Sequence, residues 1–372
     1  MMEGSRGFAA VSTAGVDRAW ACRAISLLEA EGRRSADTHL ISLPFSGLPD
    51  QSFYFKDESA HPTGSLKHRL ARSLFLYGIC NGKITEGVTL TEASSGSTAV
   101  SEAYYARLLG LRFIAVLPAT TSPRKIEAIT QHGGQCHLVE DAATIYDEAA
   151  RLARDSGGHY LDQFTYAERA TDWRGNNNIA ESIFRQMESE PHCIPSWIVM
   201  GAGTGGTSAT IGRYIRYRSY PTQLCVADVE HSAFYEGWVT GNPNAICDCP
   251  TRIEGVGRPR VEKSFVPEVV DQMIKVPDAA SLAAMRVLSQ RLSRRVGGST
   301  GTNFYGMCWA AAQMRNRGQA GSLVTLICDS GERYADTYYD DEWLAAKGIH
   351  IAPHVTMLET FLDGGPFVPA AK

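Results

Sequence analysis

"FKDESAHPTGSLKHRLAR", Phe55 to Arg72, decides how this chain is read. Its first residues close a short apolar strand, "SFYFKDES", that ends in charge. A turn follows, His61-Pro62-Thr63-Gly64, and then Ser65 as a candidate N-cap. Leu66, Leu70 and Leu74 recur at helical spacing. Lys67 therefore stands just inside a helix start, where the helix dipole is positive and a cation is misplaced. The bland reading is a solvated lysine among His68, Arg69 and Arg72. The functional reading is a lysine kept at a strand-to-helix junction for its chemistry.

Further along, strands and helices alternate. "GVTLTEASS" is a strand running into small polar residues, and "TAVSEAYYARLLG" the helix after it. "RFIAVLPA" and "QCHLVED" are strands, with the helix "SPRKIEAITQHGG" between them and "AATIYDEAARLARDS" after. "NNIAESIFRQM" is a helix and "SWIVMGAGTGG" a strand running into glycines. "TSATIGRYIRYR" and "QLCVADVE" complete the succession. Such β-α-β-α order implies an α/β fold with parallel sheets, two of them at this length. Ligands of such sheets sit outside the carboxyl ends of strands.

Three junctions there carry chemistry. Lys67 marks the first. The second is Ser94-Ser95-Gly96-Ser97-Thr98, whose hydroxyls and N–H groups at a helix start suit a carboxylate, although a serine-rich cap is the plain alternative. The third is Gly203-Thr204-Gly205-Gly206-Thr207, a glycine-rich turn into a helix that suits a phosphate. Gly201, Gly203 and Gly206 also match G-x-G-x-x-G, and Asp228 follows Gly206 by 22 residues, as a ribose-binding acid of a nicotinamide site does. That reading leaves Lys67 and the second junction unexplained. A lysine, a phosphate cradle and a carboxylate cradle together suit pyridoxal 5′-phosphate and an amino-acid substrate.

Composition excludes other classes. The 372 residues are 44% apolar and 20% charged, with net charge −4 and no basic run, which argues against nucleic acid as a partner. No apolar stretch has the length of a membrane span, and the N-terminus lacks a signal-peptide layout. Nine scattered cysteines, several in apolar runs, fit reduced thiols in the cytoplasm. Cys247 and Cys249 lack a second ligand pair, so no metal site is expected.

On these residues the chain resembles the fold-type II pyridoxal-phosphate enzymes of the cysteine synthase and cystathionine β-synthase family. Lys56, Glu58, His61, Pro62, Ser65, Lys67 and Arg69 follow that family's K-x-E-x-x-N-P-x-x-S-x-K-x-R motif, with His61 in place of asparagine. Ser94 to Ala99 follows its T-S-G-N-T-G loop, with Ser97 in place of asparagine. Gly203 to Thr207 is its G-T-G-G-T loop, and Gly297 to Gly301 its G-G-S-x-G stretch. Gln163 in "DQF", "IEGVG" from Ile253 and "DSGERY" from Asp329 also follow the family. The likeness runs from about Asp37 to Thr337.

The resemblance implies two three-layer domains with mainly parallel sheets. The expected division is a leader over 1–36, a smaller domain over 50–165, a larger one over 37–49 and 166–350, and a tail over 351–372. It makes Lys67 the Schiff-base lysine. Gly203, Thr204, Gly205, Gly206, Thr207, Ser97 and Ser299 would hold the cofactor, and Ser94, Ser95, Gly96, Thr98 and Gln163 the substrate. It implies a homodimer. The block around His61 and Ser97 looks most like a branch of L-cysteine desulfhydrases, so the expected reaction is β-elimination of L-cysteine to sulfide, pyruvate and ammonia. The alternatives are β-replacement on O-acetylserine and, more distantly, a nicotinamide-dependent dehydrogenase. His61 reads either as a turn-capping residue or as a proton carrier.

Overall fold

The structure, a computed structural model, describes residues 18–34, 37–249 and 251–369. Helix α1 (Arg18–Arg34) precedes strands β1 (Leu40–Ser42) and β2 (Gln51–Asp57). Next come α2 (Lys67–Cys80), β3 (Thr89–Ala93), α3 (Ser97–Leu108), β4 (Arg112–Pro118), α4 (Pro123–Gln131), β5 (Gln135–Val139), α5 (Ile145–Asp155), β6 (His159–Tyr160) and α6 (Gln163–Ala170). The chain continues through α7 (Ile179–Met187), β7 (Trp197–Met200), α8 (Gly206–Tyr217), β8 (Gln223–Val229), α9 (Phe234–Thr240), β9 (Gln272–Val276), α10 (Asp278–Leu292), α11 (Gly298–Asn316), β10 (Gly321–Ile327), α12 (Asp341–Ala346) and α13 (Ala352–Leu362).

Two sheets result. Six strands pair in the order β1-β2-β10-β7-β8-β9, and four in the order β5-β4-β3-β6. Among the strands of the described residues only the β1–β2 pair is antiparallel. Parallel strands are covered on both faces and so need near-continuous apolar runs. β10 (GSLVTLI) is buried at every position, as is β7 (WIVM). On one face of the larger sheet Phe53, Phe55 and Leu323 pack with Ala283, Ala284 and Met307 of α10 and α11. On the other face Tyr54, Ile198 and Leu326 pack with Ile183, Phe184 and Ile211 of α7 and α8. The smaller sheet packs Leu90, Phe113 and Ala115 against Leu74, Phe75 and Ala103. The chain is an α/β fold with mainly parallel sheets.

Three of the expected boundaries move. Gln51–Asp57 belongs to the larger sheet, paired with Gly321–Ile327, so the smaller unit does not begin at residue 50. An apolar strand does not announce which sheet it joins. The expected leader contains α1, whose Trp20, Ala24 and Leu28 are buried against α2 and α3; residues 1–17 lie outside the described part. The expected tail contains α13, whose Leu358, Phe361 and Leu362 complete the larger core. Among the described residues no helix is long and apolar enough to cross a membrane.

Candidate active site

β3, β7 and β10 all end at one cavity of about 400 Å3 between the sheets, and the turn that carries Lys67 closes one side of it. The Lys67 turn follows β2 and is fastened from behind. Lys56 is fully buried and donates to the Thr38 carbonyl, the Ser182 hydroxyl and Gln186 Oε1, each at 2.7 Å. Glu58 is equally buried and takes Arg69 Nε at 2.6 Å and His61 Nε2 at 2.9 Å. Burial alone would push the Glu58 carboxyl up; the Arg69 guanidinium and then His61 overcome it and hold the group ionised. His61 is buried, stacks on His68, and does not line the cavity. The turn-holding reading of His61 therefore fits. The N-cap position of α2 falls on Leu66 rather than Ser65, whose hydroxyl instead accepts the Lys67 N–H at 3.3 Å.

Lys67 lies against the glycine-rich turn. A Cβ built on Gly203 would stand 3.8 Å from Lys67 Nζ and only 2.4 Å from the Gly255 carbonyl. Burial lowers the Lys67 pKa; Cys328 opposes this, Arg258 lowers it further, and Asp329 opposes it. The opening misfit thus has a use, since a lowered pKa favours the neutral, nucleophilic amine. Gly205 takes φ +89° as the N-cap of α8. The first N–H groups of that helix have no intrahelical acceptor and point toward the turn.

The second junction is held from both sides. Gly96 is the N-cap of α3. Thr98 donates its hydroxyl to Gln163 Oε1 at 2.8 Å. Arg333 donates from Nη1 to Ser97 Oγ at 2.5 Å. Ser299, at the start of α11, faces the cavity beside Gly255 and Cys328. Of the residues expected in the site, Lys67, Ser94, Ser95, Gly96, Ser97, Thr98, Gln163, Gly203, Thr204, Gly205, Thr207 and Ser299 line the cavity. Gly206 stands one step behind, packed on Ala167.

Other lining residues were not among those expected in the site: Asp329 stood only in a family-like stretch with no role given, and Arg258 had no signal. Arg258 immediately follows the "IEGVG" loop, stacks 4.2 Å above the Phe164 ring and pairs with Glu262 at 2.9 Å. It also donates to Tyr146 Oη. Asp329 is buried, accepts from the Tyr334 hydroxyl at 2.7 Å, and is pushed by burial up to about 6 despite Arg333 nearby. Asp228 is excluded as a ribose acid. It is fully buried, does not line the cavity, and accepts the N–H groups of Val229 (3.1 Å) and Tyr235 (2.9 Å). The coincidence of spacing marks a brace for the loop into α9, not a cofactor contact.

Beneath the second junction lie two fully buried carboxyls, Glu92 and Glu102. Burial raises both pKa values; the Glu92 charge raises that of Glu102 further, whereas the Glu102 hydrogen bond works the other way on Glu92. In the unfolded chain both ionise near the ordinary 4.5. The folded protein therefore holds more protons above that pH, and stability falls as pH rises from it. Below it the two states bind equally. Glu102→Gln should raise the melting temperature at pH 8 by about 2 °C and leave it unchanged at pH 4. Thermal melts at the two pH values check this; an equal change at both would remove the ionisation argument.

A lysine, a glycine-rich turn and a hydroxyl-rich turn, converging at the carboxyl ends of parallel strands, define a cofactor-dependent α/β enzyme. The profile of one family, described as pyridoxal-phosphate dependent enzyme, matches residues 34–329. An L-cysteine desulfhydrase, Cds1, of Mycobacterium tuberculosis is 58% identical over 359 residues, covering 95% of this chain and 98% of that protein. Cysteine synthase 2 of Schizosaccharomyces pombe is 26% identical, covering 83% and 82%. Among solved structures, O-ureido-L-serine synthase superposes with a TM-score of 0.73 at 24% identity, over 86% of this chain and 98% of that one, a likeness of fold. The chain belongs to the pyridoxal-phosphate dependent enzyme family, and pyridoxal 5′-phosphate is its cofactor.

The residues present fit that group. The turn at Gly203–Thr207 has no room for side chains at its glycines, since a Gly203 Cβ would come within 2.4 Å of the Gly255 carbonyl. Its N–H groups and the Thr204 and Thr207 hydroxyls make a donor set for phosphate. Lys67 is the amine beside it, and Ser299 offers a hydroxyl rather than a carboxylate across the cavity.

Proposed function

We propose that this enzyme is an L-cysteine desulfhydrase, which converts L-cysteine to sulfide, pyruvate and ammonia. The observation that carries the reading is the 58% identity to a desulfhydrase, spread over 95% of the chain. The site supports it. Gly203, Thr204, Gly205, Gly206 and Thr207 would hold the cofactor's phosphate, and Ser97 and Ser299 would contact the rest of it. The N–H groups and hydroxyls of Ser94, Ser95, Gly96 and Thr98 take the substrate carboxylate, and Gln163, fixed through Thr98, borders it. When bound, the cofactor would supply the electron sink that this chemistry needs. The Lys67 amine takes the α-proton. Thiolate then leaves the β-carbon. A homodimer belongs to the same proposal, and light scattering of the purified protein tests it.

The deciding experiment supplies L-cysteine alone and, separately, O-acetylserine with sulfide. Pyruvate and sulfide are expected from the first. Efficient cysteine synthesis from the second with no pyruvate from the first would replace this reading with β-replacement, a cysteine synthesis such as the Schizosaccharomyces relative is named for. Ser97 is expected to set the balance. Its short side chain is engaged by Arg333 at 2.5 Å and reaches less far into the cavity than an asparagine does. Ser97→Asn should strengthen the grip on the bound fragment and lengthen its stay. The ratio of pyruvate to β-substituted product, measured with an added thiol, should fall roughly two- to tenfold, the worth of about one hydrogen bond. An unchanged ratio would take Ser97 out of this role.

A further inference from the structure

A second group of chemistry-bearing side chains lies at the carboxyl end of the larger sheet. β8 runs out into Glu230 and His231, and β9 runs through Pro277 into Asp278 at the start of α10. β8 and β9 are parallel neighbours with Val229 opposite Val276, so the residues that follow must meet. One ligand atom from each of Glu230, His231 and Asp278 lies within 4.8 Å of the others. None of the three lines the cavity around Lys67.

Asp278 is the anomaly. Its side chain is 3% exposed, and among the described residues neither carboxylate oxygen has a hydrogen-bond partner. A buried carboxylate without donors is costly. Its cationic neighbour, Arg252 Nε, stands 3.9 Å away, too far for a hydrogen bond. The Asp278 N–H donates to Glu230 Oε1 at 3.2 Å, which holds the second carboxylate beside the first. Burial and then Glu230 push the Asp278 carboxyl up to about 6, against His231 and Arg252. On α13 the Nδ1 of His354 is also buried without a partner, and Glu230 acts on that imidazole. Two adjacent carboxylates, one of them buried without a donor, are a poor arrangement alone. A divalent cation reverses the balance, because it turns their mutual repulsion into attraction to one centre.

We propose that Glu230, His231 and Asp278 bind one first-row divalent cation, with His354 beside them. The donor set mixes carboxylate oxygen with imidazole nitrogen. That suits Mn2+ or Zn2+ better than Mg2+ or Ca2+, which favour oxygen alone. The His231 and Glu230 side chains are 29% and 33% exposed, so the ion has a way in. The ion would tie the ends of β8 and β9 to α10 and compete with Arg252 for Asp278. Arg252 directly precedes the Ile253–Gly257 wall of the cavity, and its carbonyl takes the Tyr338 hydroxyl at 2.7 Å. Sequence spacing hides the site, since Glu230 and Asp278 are 48 residues apart. The proposal is independent of the reaction assigned above.

The test titrates chelator-treated, dialysed holoenzyme with Mn2+ and reads the free ion by electron paramagnetic resonance. One Mn2+ per chain is expected. Asp278→Asn and His231→Ala should each weaken binding by at least roughly tenfold, a scale reached even by groups outside the ligand shell. Saturating Mn2+ should raise the melting temperature of the wild type and leave that of Asp278→Asn unmoved. Without metal, Asp278→Asn should melt no lower than the wild type, because it removes an unbonded buried charge. A merely structural Asp278 would instead lower the melting temperature equally with and without Mn2+, and that result overturns the site. Absence of saturable binding, or binding unchanged in both variants, overturns it as well. Equal displacement of Mn2+ by Mg2+ would overturn the choice of ion.

Discussion

Lys67→Ala is expected to lower turnover by roughly a thousandfold or more and to abolish the visible absorption of covalently held cofactor, with the melting temperature nearly unchanged. The fold does not depend on this side chain. Lys67 lines an open cavity, while Lys56, Glu58 and Arg69 fasten the turn from behind through buried contacts of their own. The chemistry does depend on it. Its pKa is lowered from 10.5, by burial first and by Arg258 among the neighbouring charges, with Cys328 and Asp329 opposing. A base of lowered pKa works at a pH where an ordinary lysine is fully protonated. The rate should therefore climb with rising pH before the ordinary lysine value is reached. Removing the Arg258 charge should raise the Lys67 pKa and move that climb to higher pH. Absorption spectra, single-turnover rates and melts of Lys67→Ala separate the two roles. A variant that kept both the absorption band and the turnover would end the assignment.

The site was legible where its parts are contiguous in sequence. Each of the three junctions is one strand end with its following turn, so composition and position reveal it without knowledge of the partner segment. What the sequence concealed is contact between distant segments. Arg333 reaches Ser97 across 236 positions, and Arg258 meets Tyr146 across 112. No periodicity announces either pair. The fold shows the same division. Parallel α/β order was readable from alternation, but the membership of β2 in the larger sheet depends on its pairing with β10, far along the chain. Helix α1 was readable in principle, since Trp20, Ala24 and Leu28 recur every four residues, but apolar residues on the exposed face, Cys22 and Leu27 among them, blurred the stripe. Asp228 carried a false signal, because a buried carboxylate that braces a loop has the same spacing as one that binds ribose.

Gly205→Val should reduce affinity for pyridoxal 5′-phosphate by roughly a hundredfold or more, about 2.7 kcal/mol, and lower the melting temperature as well. Two effects act together. Gly205 sits at φ +89°, a conformation that costs a β-branched residue on the order of 1–3 kcal/mol. A Cβ there would stand 2.5 Å from the Phe265 Cα, 2.7 Å from its nitrogen and 2.8 Å from the Ser264 carbonyl. These are backbone atoms and cannot step aside as a flexible side chain does. The new side chain thus fills the back of the turn, not the phosphate side. Relief requires the turn to move toward the cavity, which turns the first N–H groups of α8 away from their common focus. Gly206→Val should act similarly through Ala167, whose Cβ lies 2.7 Å from the built position. Gly96→Ala is the control: its φ is −110° and nothing lies within 4 Å of an added Cβ, so cofactor affinity should hold. Asp228→Ala should lower the melting temperature by loosening Val229 and Tyr235 while leaving cofactor affinity near wild type. Titration of the apoenzyme with cofactor, followed by absorbance, measures all four variants. Wild-type affinity in Gly205→Val would mean that this turn does not hold the phosphate, and the glycines would then be serving only the packing of α8 against the loop at Phe265.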